Sequence, residues 1–116
     1  MNILMVEDDE MIRIATAELM RDSGHAVFEA ESAEQAMGIL RETAIDVLVT
    51  DVGLPGMSGE VFAAEARSLR PALRIVLATG MGHIIDPADG AAGPVLLRKP
   101  YDSVGLEAAM RAAWLA

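Results

Sequence analysis

The sequence predicts an α/β fold in which one doubly wound, five-stranded parallel sheet is covered by helices on both faces. Three observations lead there. Short apolar runs alternate along the chain with stretches whose apolar residues recur at helical spacing. The runs are apolar at consecutive positions, as in strands buried on both faces, rather than alternating apolar and polar. The chemically capable polar residues follow the runs, and sites in parallel sheets form at the carboxyl ends of the strands.

Residues 3–6, Ile-Leu-Met-Val, form the first expected strand and run into Glu7-Asp8-Asp9. A helix is expected from about 10 to 23, with Ile12, Ala15 and Leu19 on its inward face and Gly24 as its stop. Residues 26–30 form a second strand, and the polar neighbours His25, Glu29 and Glu31 place it at an edge. Ser32-Ala33-Glu34-Gln35 has capping-box spacing and opens a helix carrying Ala33, Ala36, Met37 and Leu40 on one face. The third strand spans 47–50. A third helix follows from about 58 to 69, with Phe62, Ala66 and Leu69 inward and Pro71 at its exit. Residues 74–78 and 95–98 form the fourth and fifth strands. A last helix begins near Asp102 or Ser103 and presents Leu106, Ala109, Met110 and Ala113. Between the last two strands, residues 81–94 contain Gly82, Pro87, Gly90, Gly93 and Pro94, so a fourth helix there should be short or irregular.

A chain of 116 residues makes one domain, 1–116, with room for a real core. Eighteen acidic residues against nine basic ones give a net charge of −9, which argues against direct binding to a nucleic-acid backbone. It suits basic partners or divalent cations. The absence of cysteine excludes disulfides and thiolate metal sites. The apolar runs are too short to span a bilayer, and the N-terminus enters a strand with no signal-peptide pattern, so no membrane association and a cytoplasmic location are expected.

The chemistry gathers at the strand ends. Glu7-Asp8-Asp9 ends the first strand, Asp51 the third, Thr79 the fourth, and Lys99-Pro100 the fifth. A carboxylate at the end of a buried strand is costly without a cation or a chemical task. Adjacent strands lie ~4.8 Å apart, so if the first and third are neighbours their carboxylates crowd one another and call for a cation. All-oxygen ligands favour Mg²⁺. With a hydroxyl from Thr79 and an ammonium from Lys99, the set suits the charge of a transferring phosphoryl group.

These residues, in this order, resemble the response-regulator receiver domains of two-component signalling. The likeness runs essentially end to end: the acidic cluster, Asp51 followed by Leu54-Pro55-Gly56 and Gly59, then Thr79, then Lys99-Pro100. The resemblance implies a flavodoxin-like (CheY-like) sheet of order 2-1-3-4-5 with about five helices. It implies Asp51 as phosphoacceptor, Asp8 as a direct Mg²⁺ ligand with Glu7 acting mostly through water, and the backbone carbonyl of Gly53 as a further ligand. Thr79 and Lys99 would bind phosphoryl oxygens, and the Lys99–Pro100 peptide would be cis. The donor would be a phosphohistidine on a histidine kinase or phosphotransfer protein. The protein would catalyse only its own phosphorylation and dephosphorylation and would switch conformation to regulate a downstream partner, whose identity stays open. A weak homodimer through the fourth and fifth strands also stays open.

Two departures from the family pattern bear on the switch. Leu96 stands where many members carry an aromatic residue that swings inward with the threonine. Ala78-Thr79-Gly80, before the breaker-rich segment, points instead to a change of order in residues 80–94. Gly53, two residues past Asp51, has no side chain to shield an acyl phosphate, whereas Met81, two past Thr79, could. Asp9 reads as part of an acidic helix N-terminus that suits the helix dipole. His25 and His83 read as solvent-facing, and Trp114 either packs or marks a partner face. The competing function is a Mg²⁺-dependent phosphatase of the haloacid-dehalogenase type. That chemistry normally places an Asp-x-Asp nucleophile pair on the first strand, whereas Asp51-Val52-Gly53 lacks the second acid.

Overall fold

A computed structural model describes residues 1–79 and 95–115. The elements are β1 (Asn2–Val6), α1 (Glu10–Asp22), β2 (Ala26–Ala30), α2 (Ala33–Glu42), β3 (Val47–Asp51), α3 (Gly59–Leu69), β4 (Arg74–Thr79), β5 (Val95–Arg98) and α4 (Ser103–Leu115). The strands pair in parallel in the order β2-β1-β3-β4-β5, with β2 at an edge as its polar flanks suggested. The expected short helix within 81–94 lies outside the described residues, so α4 here is the C-terminal helix.

Strand alternation divides the core in two. Leu4, Val6, Leu48, Ile75 and Leu77 face α2 and α3, where Ala36, Leu40, Phe62 and Ala66 meet them. Ile3, Met5, Val47, Val49 and Val76 face α1 and α4, against Ala17, Met20, Leu106 and Met110. Both faces of the central strands are therefore dry, which accounts for their consecutive apolar residues.

The helix starts follow the sequence closely. Asp9 caps α1 by accepting the Ile12 N–H at 3.1 Å, and Ser32 caps α2 by accepting that of Gln35 at 3.1 Å. Gln35 Oε1 reaches back to the N–H of Glu31 at 2.8 Å, one residue before the cap. Gly24 takes φ 94° where the chain turns from α1 into β2.

Three expectations are corrected. On α1 the sheet takes Thr16, Ala17 and Met20, while Ile12 and Leu19 are exposed. Two stripes of helical spacing run along this helix, and the one with small residues permits the closer approach. On α3, Ala63 is buried in place of Leu69. The turn beyond is occupied by Arg70, whose guanidinium donates twice to the Leu40 carbonyl, at 3.1 and 2.9 Å, tying α3 to the end of α2. His25 is largely covered rather than solvent-facing, with Nε2 3.4 Å from Glu107 on α4. His83 lies outside the described residues. Trp114 packs: the Arg74 guanidinium lies 5.0 Å over its ring while Nε donates to its carbonyl at 2.9 Å.

Gly59 holds the start of α3 against the end of β3. Its N–H donates to the Val52 carbonyl at 2.8 Å. A Cβ at this position would collide with the Asp51 carbonyl oxygen and lie 2.7 Å from Cα of Val52. Helix propensity alone would make Gly59→Ala stabilising by up to ~1 kcal/mol. We expect the opposite sign, a loss of about 1–3 kcal/mol from overpacking against backbone, read as a lower urea midpoint at unchanged m-value.

Candidate functional site

The strand register brings the polar ends level. Val6 pairs with Thr50, Asp51 with Ala78, and Thr79 with Arg98. The residues that follow therefore emerge together at the carboxyl rim. Backbone hydrogen bonds extend this order past the strands: Glu7 N–H to Ala30, Val52 N–H to Ala78 and Lys99 N–H to Thr79, at 3.0, 3.0 and 2.8 Å. The Lys99–Pro100 peptide is cis.

At the centre stands Lys99. Its Nζ lies 3.1 Å from Glu7 Oε1 and 3.2 Å from Asp51 Oδ2. Glu7 is 2% exposed, Asp8 is exposed, and Asp51 lies between these extremes. Glu7 Oε2 accepts the Asp9 N–H at 3.2 Å, and Asp51 Oδ1 accepts the Gly53 N–H at 3.3 Å. One ligand oxygen each from Glu7, Asp8 and Asp51 lie within 4.8 Å of one another. Oxygens on opposite sides of an octahedral Mg²⁺ stand about 4.2 Å apart. The cluster is built entirely of hard oxygen donors, the kind that ion takes.

Burial pushes the Glu7 carboxyl above its ordinary value, and a hydrogen bond with Asp8 adds to this. The Asp9 N–H and Lys99 pull the other way without prevailing. For Lys99, burial would lower the pKa, but the carboxylates of Glu7 and Asp51 outweigh it and hold the ammonium above its usual range. The lysine thus stays charged while the glutamate resists charging.

Of the residues expected to serve the phosphoryl and metal site, those within the described region lie at this rim, except Leu96. Thr79 is buried at the end of β4. Leu96, in register with Leu77, is half-exposed on β5, away from the carboxylates. Gly53 meets Asp51 through its N–H, and a Cβ there would stand 3.9 Å from Asp51 Oδ2 with no other neighbour within 4 Å. Gly80 and Met81 lie outside the described residues.

Two features had not been legible in the sequence. The outward stripe of α1 (Ile12, Ala15 and Leu19), with the buried Thr16 at its margin and Lys99, Pro100 and Tyr101 opposite, lines a groove of about 500 Å³ beside the site. The Tyr101 and Thr16 hydroxyls stand 3.3 Å apart across it. Arg13 donates from Nη1 to the Glu7 carbonyl at 2.9 Å. A cation in the first turn of a helix, against the dipole, was the available signal for Arg13. Tyr101 had none.

The raised Glu7 pKa has a stability consequence. The folded state holds that proton more tightly than the unfolded chain. Glu7 therefore contributes stability below the unfolded value of 4.5, and that contribution is lost as pH rises through its higher folded value. In metal-free buffer containing a chelator, the stability of wild type relative to Glu7→Gln should fall as pH is raised from 4 towards neutrality. Parallel melting curves across that window would show that Glu7 titrates normally.

Residues 3–111 match the family model of the response regulator receiver domain. The chain is 33% identical over 114 residues to the two-component response regulator PhoP of Pseudomonas aeruginosa, covering 97% of this chain and 51% of that protein. The chain thus spans about half the length of this relative. Among solved structures, it superposes on a response regulator receiver protein from Sinorhizobium medicae with TM-score 0.87 and 26% identity, covering 99% of this chain and 94% of that one. The receiver domain of the hybrid histidine kinase CckA gives TM-score 0.82 and 28% identity, covering 98% of this chain and 99% of that one. Match, fold and strand-end chemistry agree, and the chain belongs to the response regulator receiver domain family of two-component signalling.

Proposed function

We propose that Asp51 is the phosphoacceptor of this receiver and that Glu7, Asp8, Asp51 and the Gly53 carbonyl hold the Mg²⁺ on which the transfer depends. The observation that carries the reading is one ammonium, Lys99 Nζ, set between two carboxylates from different strands at 3.1 and 3.2 Å. In the transfer, an Asp51 Oδ attacks phosphorus in line. The O–P bond forms as the N–P bond of the donor phosphohistidine breaks, and the leaving imidazole takes up a proton. When bound, Mg²⁺ supplies positive charge to the phosphoryl oxygens. Lys99 pairs with one of these oxygens and the Thr79 hydroxyl donates to another, so the charge that spreads in the transition state meets fixed partners.

The product is an acyl phosphate, so the protein acts as a timed switch rather than a turnover enzyme. Thr79 and Leu96 are the proposed relay, with Leu96 in place of an aromatic side chain. The proposed order change in residues 80–94 lies outside the described residues. A histidine kinase or phosphotransfer protein is the donor. The exposed Met11 and Ile12 at the start of α1, next to Asp8, offer such a donor an apolar face. Among the described residues no helix is long and apolar enough to cross a membrane, in keeping with a cytoplasmic switch. The hydrolase alternative gains nothing from the relatives, and Asp51 sits on β3 rather than on β1.

Acetyl phosphate with Mg²⁺ should add the mass of one phosphoryl group to the intact protein. The adduct should be absent in Asp51→Asn and in the presence of chelator. An adduct that persists in Asp51→Asn would place the acceptor elsewhere. Sustained release of phosphate from a small phosphoester would favour the hydrolase.

A further inference from the structure

Arg13 is a cation where electrostatics argues against one. It lies in the first turn of α1, at the positive end of the helix dipole. It also lies beside the carboxylates proposed to attract Mg²⁺, which its charge repels. Yet its side chain is only 13% exposed and meets two partners. Nη1 donates to the Glu7 carbonyl at 2.9 Å, and Nε stands 3.6 Å from Glu29 Oε1. Glu29, next to the last residue of β2, is held in turn by Arg21 Nη2 at 3.1 Å. On its other side Glu7 donates its N–H to Ala30 at 3.0 Å. Glu7 is therefore gripped through its N–H by β2 and through its carbonyl by α1, immediately before Asp8.

We propose that Arg13 is a positioning residue for divalent-cation binding. Through the Glu7 carbonyl it holds the β1–α1 turn so that the Glu7 and Asp8 carboxylates stay directed at Asp51 despite their mutual repulsion, and Glu29 holds Arg13 in place. This rests on reading the acidic cluster as a Mg²⁺ site. Groups behind metal ligands set the ligands' orientation and therefore affinity. Arg13 meets the cluster through the Glu7 backbone carbonyl, so its effect through geometry is opposite in sign to its effect through charge. Loss of a nearby positive charge tightens cation binding, whereas loss of the turn's anchor weakens it.

That opposition gives the test. Mg²⁺ alone, with no phosphoryl donor, is titrated into wild type, Arg13→Gln and Arg13→Met. Amide chemical shifts report binding at a temperature where circular dichroism shows all three folded. Both variants remove the same charge, but Gln keeps an N–H donor and Met has none. Arg13→Met is expected to bind Mg²⁺ roughly tenfold more weakly than wild type, with Arg13→Gln between the two. Equal affinities in the two variants, or tighter binding in both, overturn the proposal. Should Arg13→Met not fold, the sign for Arg13→Gln decides. Binding no tighter than wild type supports positioning, and tighter binding overturns it. A wild type that does not bind Mg²⁺ at all overturns the metal reading itself, and this inference with it.

Discussion

The repulsion among carboxylates at one rim of the sheet is the constraint on which the rest depends. Parallel strands all end on the same side, so Glu7, Asp8 and Asp51 cannot be kept apart once β1 and β3 are neighbours. Lys99, carried in from the far edge of the sheet, bridges two of them. Its raised pKa and that of Glu7 record the same arrangement from both ends: the ammonium is held by two acids, and the more buried acid resists ionising. A divalent cation would relieve the remaining repulsion, and this is the role the proposed function gives it.

Much of the surrounding structure keeps those strand ends in place. The backbone ladder continues beyond the strands at Glu7, Val52 and Lys99, so each functional residue leaves the sheet in a defined direction. Gly59 lets α3 start directly against the backbone of Asp51 and Val52, and Leu54 in the loop between is buried in the core. On the other side of the site, Arg13 and the β2 edge hold the peptide of Glu7. The proposed phosphoacceptor and the proposed metal ligands are thus set by backbone contacts from both layers of helices.

Helix α1 carries two stripes, and the sheet takes one of them. The stripe of Thr16, Ala17 and Met20 covers the sheet, while Ile12, Ala15 and Leu19 remain outside beside Tyr101 and the groove next to Lys99. An apolar stripe left on the surface next to a chemical site has a physical cost in water, which suits a face that meets a partner. The acidic surface and the exposed apolar start of α1 together agree with a module that is reached by another protein.

By itself the sequence determined the alternation of elements, the acidic start of α1, the cap at Ser32, the edge position of β2 and the gathering of Glu7, Asp8, Asp51, Thr79 and Lys99 at one rim. Each follows from local chemistry or from the rule that parallel strands share a carboxyl end. Only the tertiary structure decided which stripe of α1 the sheet takes, that Ala63 rather than Leu69 is covered, that His25 is drawn to Glu107, and that Arg13 grips the Glu7 carbonyl. The physical reason is the same in every case. Periodicity tells which residues share a face, but which face is buried, and which side chain reaches a backbone group on another element, depend on how closely two surfaces approach. That distance is set by the packing of the whole domain.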